Sequence, residues 1–401
     1  MKVCFLTANH PPEAWGGTEQ VVIALARELR ARGVDIVVIS GSDVPHAGVD
    51  VRQELHDGVV VHRLSKLPDE WDRQGFTRPR LLALVRALLQ QERPDVLHVH
   101  STASLGAGIT EIARQLGLPV VMTFHDLWVT CARYFRVPVG GVSCPTGVDR
   151  TPCTTCIACD VGMPADWVTR ALAERDRLLR AEVALAAACT APSATAAQFV
   201  RECLPYDGVI EVVPHGLLRP VPSAHRTAAP GPAELLRVGT FGGLVPEKGI
   251  HELVDACVGL PVALHLSGQV YDAALVEHVQ RREREGLRVV LRDRYTPADR
   301  HPARDLHLAV FPSKCQETYG LVVDEALAHG VPTVVSDAGA LRERASTPGV
   351  VVTPIAQLAL VLRELVASRA RLAALRAAIP ATLPTIATSA ERHLELYTRL
   401  Q

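Results

Sequence analysis

The sequence predicts an α/β protein of two doubly wound domains, and three observations carry that expectation. Short apolar runs rich in Val, Ile and Leu alternate with amphipathic segments along most of the chain, the rhythm of βαβ units. Within the runs the hydrophobicity is continuous rather than alternating, so both faces of each strand are buried, as in a parallel sheet with helices above and below. The rhythm breaks once, over residues 219–232, where Pro220, Pro222, Pro230 and Pro232 stand among small residues, and then restarts. Such a stretch suits neither a central strand nor a helix interior, so it reads as an interdomain linker. A chain of 401 residues, 48% hydrophobic and 21% charged, is long enough for two cores of ordinary size.

The first domain, residues 1–218, opens with an apolar strand at 3–7. A helix follows from Thr18, placed as its N-cap, with Val21, Val22, Leu25 and Leu29 on one side. Further strands are expected at 36–40, 96–100, 120–124 and 209–213, and a helix near 80–91. After the linker, 219–234, the second domain (235–384) repeats the pattern with strands at 235–240, 262–266, 289–291, 308–311 and 331–336 and a helix after Gly249. The last amphipathic segment, within 385–401, has no strand to follow it and is expected to pack back on the first domain. Ligands of doubly wound domains lie outside the carboxyl ends of the strands, so the expected site is a cleft that both domains face.

Charge and cysteine usage narrow the function classes. Lys plus Arg total 42 against 43 for Asp plus Glu, a formal net charge of −1, which removes the uniform basic field that nucleic acid or an anionic membrane would need. No apolar run approaches the ~20 residues of a membrane span, and the first run is too short and too soon broken by Pro11 and Pro12 to be a signal peptide. A cytoplasmic protein is expected. Lys occurs only at Lys2, Lys66, Lys248 and Lys314, so a lysine inside a motif is not background. The Arg bias points to a GC-rich bacterial source.

Three stretches could carry chemistry. Gly16 and Gly17 precede the first helix, where backbone N–H groups and the helix dipole favour an anion. The second domain opens in the same style with Gly242, Gly243 and then Pro246-Glu247-Lys248-Gly249, which puts a rare lysine where a phosphate would sit. The third runs from Pro312 to Leu327 and is closed by Gly330-Val331-Pro332. There Glu317 lies in the loop at a strand's end, Thr318 is a candidate cap, Glu325 is placed two turns into a helix, and the N–H groups of Gly320, Leu321 and Val322 are free for a phosphate. Ionised carboxylates so placed suit sugar hydroxyls. Gly106-Ala107-Gly108 begins like a dinucleotide fingerprint, but Glu111 stands where its last glycine belongs.

Taken together, Gly16-Gly17-Thr18-Glu19, Thr123-Phe124-His125-Asp126, Pro192-Ser193, Val245 to Gly249 and the Glu317/Glu325 pair resemble the family 4 retaining glycosyltransferases of the GT-B fold, two Rossmann-like domains. The resemblance implies a nucleoside diphosphate sugar, GDP- or UDP-linked, as donor. It places Glu317 on the donor sugar, Glu325 on the ribose, Lys248 on the diphosphate and His125 beside the transferred sugar, so His125, Glu317 and Lys248 are the catalytic candidates. Tyr319 falls in the donor segment. Gly17 falls in the loop between diphosphate and acceptor, and Gly16, Thr18, Glu19 and Asp126 on the acceptor side. Where the family usually has Gly-Arg-Leu, this chain has Gly242-Gly243-Leu244, so a phosphate-binding arginine is missing. Arg294, after the strand at 289–291, is the candidate replacement. Pro214-His215-Gly216 stands where Pro-Asn-Gly is frequent. With no Asp-x-Asp pair for a divalent ion, a positive side chain and helix dipoles would stabilise the leaving group.

Five of the ten cysteines fall in an insertion, 131–160. Cys153, Cys156 and Cys159 have chelate spacing, and Cys131 and Cys144 could complete a tetrahedral structural zinc site with Cys153 and Cys156, Cys159 standing in reserve. Disulfides or inert thiols are the alternatives. The reading that results is a retaining, metal-independent hexosyltransferase acting on a small-molecule or glycan acceptor, as in natural-product biosynthesis. A nucleotide-sugar epimerase or a silent binding subunit is the alternative.

Overall fold

The computed structural model describes residues 1–66, 76–103, 105–139, 144–231, 233–296 and 298–401. Pro232 of the expected linker and residues 140–143 of the insertion lie outside the described residues. The chain divides into two compact units, Met1–Leu218 with Thr385–Gln401, and Arg219–Pro384.

The first unit runs β1 (Lys2–Thr7), α1 (Gly17–Ala31), β2 (Asp35–Ser42), β3 (Val51–His56), β4 (Val59–Ser65), α2 (Pro79–Glu92), β5 (Val96–Val99), α3 (Ile109–Gln115), β6 (Val120–Thr123), α4 (Thr151–Val161), α5 (Ala165–Ala184), β7 (Ala188–Ala191), α6 (Ala194–Cys203) and β8 (Ile210–Val212). These strands form one sheet in the order β3-β4-β2-β1-β5-β6-β7-β8. All pairs are parallel except the β3–β4 hairpin, which the βαβ rhythm does not predict. Its turn is made by Asp57 and Gly58, both at positive φ (50° and 72°), the backbone that a two-residue hairpin turn demands.

The second unit runs β9 (Leu236–Phe241), α7 (Ile250–Ala256), β10 (Val262–Ser267), α8 (Ala273–Arg284), β11 (Arg288–Arg292), β12 (Leu308–Phe311), α9 (Leu321–Ala328), β13 (Thr333–Val335), β14 (Val350–Val352), α10 (Leu358–Ala367) and α11 (Arg369–Ala378). Its sheet is parallel throughout, in the order β11-β10-β9-β12-β13-β14. Leu308 and Val310 of β12 enter one core cluster with Leu264, while Ala309 and Phe311 enter another with Val323 and Ala326. Burial on both faces is why that run carries no polar alternation. Within the expected linker, Thr227 is tied to the second unit: its N–H donates to His329 O at 2.8 Å and its hydroxyl to Ala303 O at 3.0 Å.

The final helix, α12 (Ile386–Leu400), belongs to the first unit. It buries His393, Leu396 and Tyr397, and Arg32 at the end of α1 pairs with its Glu391 at 3.2 Å. No described helix is long and apolar enough to cross a membrane.

In each sheet the first strand lies at the point where the winding reverses. That point falls between β1 and β5 in the first unit and between β9 and β12 in the second. Loops leaving the carboxyl ends of such a pair diverge and leave room for a ligand.

Candidate functional site

In the second unit the two loops at the reversal point are stitched together by backbone. Gly249 is the N-cap of α7 at φ 71°, and a Cβ there would collide with Pro312 O. Only glycine combines that left-handed backbone with so close an approach. The N–H groups of Lys314 and Cys315 donate to Glu247 O at 2.8 and 3.0 Å. This brings Lys248, in the turn before α7, against Glu317 after β12: Lys248 Nζ donates to Glu317 Oε1 at 2.5 Å, and Ser313 Oγ donates to the same oxygen at 2.6 Å.

The pair is ionised on both sides. Burial works against charge on Glu317, but Lys248, Ser313 and Cys315 more than offset it and leave the carboxyl below its usual range. Burial likewise opposes the Lys248 charge, while Glu317 and Cys315 raise the ammonium above the usual lysine range. A side chain still 31% exposed leaves Lys248 within reach of an incoming anion.

Around this pair the loop is held rigidly. The Ala340 N–H donates to Glu317 O at 2.7 Å. Tyr319 donates to Asp324 Oδ2 at 2.7 Å, and Arg344 both binds Asp324 Oδ1 at 2.9 Å and lies 4.6 Å over the Tyr319 ring. Gly320, at φ 84°, is the N-cap of α9, so the first N–H groups of that helix, at Leu321 and Val322, point out of the loop. Val322 also stands 3.7 Å from the place of a Cβ on Gly242, which sets the β9 loop beside this helix end.

Glu325, the fifth residue of α9, lies 3.7 Å from His301 Nε2. His301 Nδ1 accepts from the Ala303 N–H at 3.2 Å, so the neutral ring carries its proton on Nε2, toward the carboxylate. Burial first and then the Glu325 charge push Tyr295 well above the usual tyrosine range.

In the first unit the loop after β1 reaches α1 through Gly16, the N-cap in extended conformation. Glu19, at the third helical position, folds its carboxylate back over Gly16, making half of a capping box. Burial raises its pKa, and Asp126 adds to the rise. Asp126 accepts from the Trp128 N–H at 2.8 Å and is itself raised by burial.

Behind this edge lies a chain of buried histidines. His100 Nδ1 is 2.8 Å from His125 Nε2, and His125 Nδ1 is 3.3 Å from His215 Nε2. His98 is bonded to Tyr397 Oη at 2.6 Å and to Thr123 Oγ1 at 2.7 Å. Burial holds all of these rings neutral: His98, His100 and His125 fall well below the usual histidine range and His215 falls to about 3.

A family model described as Glycosyltransferase Family 4 matches residues 15–217, and one described as Glycosyl transferases group 1 matches residues 233–368. The chain belongs to glycosyltransferase family 4. A GDP-mannose-dependent alpha-mannosyltransferase of Mycobacterium tuberculosis is 27% identical over 357 residues, covering 86% of this chain and 81% of that protein. Sucrose-phosphate synthase from Thermosynechococcus elongatus superposes with a TM-score of 0.72 at 19% identity, over 100% of this chain and 99% of that one. Anabaena HepE in complex with UDP-glucose gives 0.66 at 17%, over 100% of both chains. These likenesses show the GT-B fold, and the family makes this chain a glycosyltransferase that takes its sugar from a nucleotide sugar.

Within this family 4 enzyme, Lys248, Glu317, Tyr319, Gly320, Leu321, Val322 and Gly242 come together around one reversal point. Several details differ from the sequence reading. Neither Thr18 nor Thr318 caps a helix; Gly16 and Gly320 hold those positions. Glu325 is little more than one turn into α9, not two, because the helix starts at Leu321. Gly243 has no atom within 4 Å of an added Cβ, so the place of the missing arginine is open. Arg294 is exposed and follows β11, the outer edge strand, two strand spacings or about 10 Å from β9.

Both ring nitrogens of His125 face histidines, and the residue is 7% exposed. Sequence reading missed the partners Ser313, His301 and Tyr295 and the histidines 98, 100 and 393. At Gly106 to Gly108, the N–H groups of Gly108 and Thr110 donate to Glu182 at 2.6 and 3.1 Å, so the protein's own carboxylate fills the place of a dinucleotide phosphate. Among the described residues no three His, Cys, Asp or Glu side chains are already assembled around a metal position, and all ten cysteines are free thiols. Cys131, Cys144, Cys153 and Cys156 nevertheless line one cavity of about 30 Å³, which Cys159 does not reach.

Proposed function

We propose that this glycosyltransferase retains the donor's anomeric configuration and works without a catalytic metal, moving a hexose from a GDP- or UDP-sugar to a small-molecule or glycan acceptor. The Lys248–Glu317 pair at the reversal point supports the reading most directly. In the free enzyme the lysine and glutamate neutralise each other. A donor diphosphate would draw the Lys248 ammonium away and leave Glu317, still fixed by Ser313, to accept from hydroxyls of the donor sugar. The N–H groups of Leu321 and Val322 would meet the phosphates, where the helix dipole favours negative charge. Glu325 would take the ribose hydroxyls, with His301 beside it.

As the glycosidic bond breaks, charge grows on the leaving diphosphate, and Lys248 with the α9 N-terminus would be strongest at that moment. The first unit would hold the acceptor near Gly16, Gly17, Glu19 and Asp126. The buried His125 would shape the edge of that site as a neutral ring. The test is the proton NMR spectrum of the product formed in excess EDTA. Turnover with the donor's configuration kept is expected; an inverted linkage, or EDTA inhibition reversed by Mg²⁺ or Mn²⁺, contradicts the reading.

A further inference from the structure

The insertion between His125-Asp126 and α5 surrounds a small cavity of its own. Cys131, Cys144, Cys153 and Cys156 line it together with Val137, Pro138, Pro145, Ile157 and Leu172. Its volume, about 30 Å³, suits one small ion or water. Cys153 and Cys156 are three residues apart on α4 and so share one face of that helix, whereas Cys159 is exposed. The Val139 N–H already donates to Cys156 Sγ at 3.3 Å, the bond that a ligating sulfur accepts from its surroundings.

Charge is the second, independent observation. Arg150, Arg175 and Asp176 line the cavity, and Arg136 adjoins it by donating to Pro145 O. Arg136, Arg175 and Asp176 are buried to 4%, 2% and 3% exposure, and the Arg150 side chain to 12%. Asp176 accepts from Arg150 Nε at 2.7 Å and faces Arg175 Nη1 at 3.6 Å, and Asp126 also interacts with Arg175, so three buried guanidinium groups outnumber the carboxylates near them. Among the described residues Arg136 Nε and Arg175 Nε have no hydrogen-bond partner, nor does Asp176 Oδ1. Buried charge is costly unless it is matched. A divalent ion held by four thiolates carries a net negative charge, the sign that would offset the excess of arginine.

We propose that Cys131, Cys144, Cys153 and Cys156 bind one structural zinc ion in this cavity. Each thiol gives up its proton to solvent as it ligates. The described thiols line the space without already closing on a common point, and the ion supplies the attraction that draws four mutually repelling thiolates together. With four sulfur ligands no position is left open for catalysis. The ion pins the long segment that follows Asp126 and fixes the floor of α5.

The experiment is elemental analysis of the full-length protein, purified without added metal, beside the single variants Cys153→Ser, Cys156→Ser and Cys159→Ser. About one zinc per chain is expected in the wild type and in Cys159→Ser, with loss of most of it in the other two. If those two variants fail to fold, the folded wild type is titrated with a mercurial, and zinc should be released as four thiols react. A folded wild-type protein free of metal, a mass spectrum showing disulfides among these cysteines, or equal zinc loss in Cys159→Ser overturns the site.

Discussion

Lowering the pH to about 5.5 should destabilise the first unit, because its histidine chain is buried in the neutral form; His307 and His329, both lowered to about 4, make the second unit respond in the same direction. His215 falls to about 3 and His393 to about 4 in the folded protein, whereas both titrate near 6.5 when unfolded. Their folded values are depressed, so the unfolded state binds more protons below about pH 6.5, and stability falls as pH falls through that value. Each histidine contributes about 1.4 kcal/mol per pH unit across the window. From about pH 7.5 to about pH 5.5 these two alone cost about 3 kcal/mol, a large part of the 5 to 15 kcal/mol that holds a typical domain. His98, His100 and His125 act in the same direction. The buried carboxyls of Glu19, Asp126 and Glu182, raised by burial, offset part of the loss.

The assay is urea unfolding followed by tryptophan fluorescence. Trp15, Trp71, Trp128 and Trp167 are the only tryptophans and all precede residue 218, so the signal reports the first unit. The midpoint should drop by about 1 M or more between the two pH values, and His393→Gln should remove about 1.4 kcal/mol per pH unit from the slope. Equal midpoints at both pH values would refute the neutral histidine chain.

Other substitutions test the second unit. Lys248→Ala and Glu317→Ala should each lose about 10- to 150-fold in kcat/KM, the worth of one charge-assisted hydrogen bond, with circular dichroism unchanged; near wild-type turnover in either removes the pair from the site. Gly249→Ala meets both a φ of 71° and the Pro312 carbonyl, and should lower the stability of the second unit by about 1 to 3 kcal/mol or more, read as an earlier thermal transition. Gly243→Arg has open space and should lower the KM for donor, whereas Arg294→Ala should leave the kinetics unchanged; the opposite pattern would return Arg294 to the phosphates.

The two-unit α/β architecture was legible because most of the parallel strands buried on both faces leave a continuous apolar run. What escaped did so for physical reasons. The strand β7 reads Ala-Cys-Thr-Ala (residues 188–191) and is buried through small side chains, so it has no hydrophobic signature. The β3–β4 hairpin carried its Asp57-Gly58 turn signal in plain sight, but the βαβ expectation left no place for it. Lys248 and Glu317 were findable because each sits in a motif at a strand end. The histidine chain was not, because it is assembled by sheet register and by a helix from the far end of the sequence: His98 and Tyr397 are 299 residues apart. Helix starts failed by one or two residues wherever glycine took the cap position that threonine seemed to claim.

The central claim is that the Lys248–Glu317 site passes a sugar from a nucleotide donor to a second molecule. The direct measurement is incubation of the enzyme with a panel of UDP-, GDP- and dTDP-sugars, with and without candidate glycan and small-molecule acceptors, scored for free nucleoside diphosphate and for new glycoside. Release coupled to glycoside formation, dependent on an acceptor and lost in Glu317→Ala, is the expected result. Interconversion of the donor sugar with no acceptor present, or the absence of both binding and turnover with every donor, would contradict it.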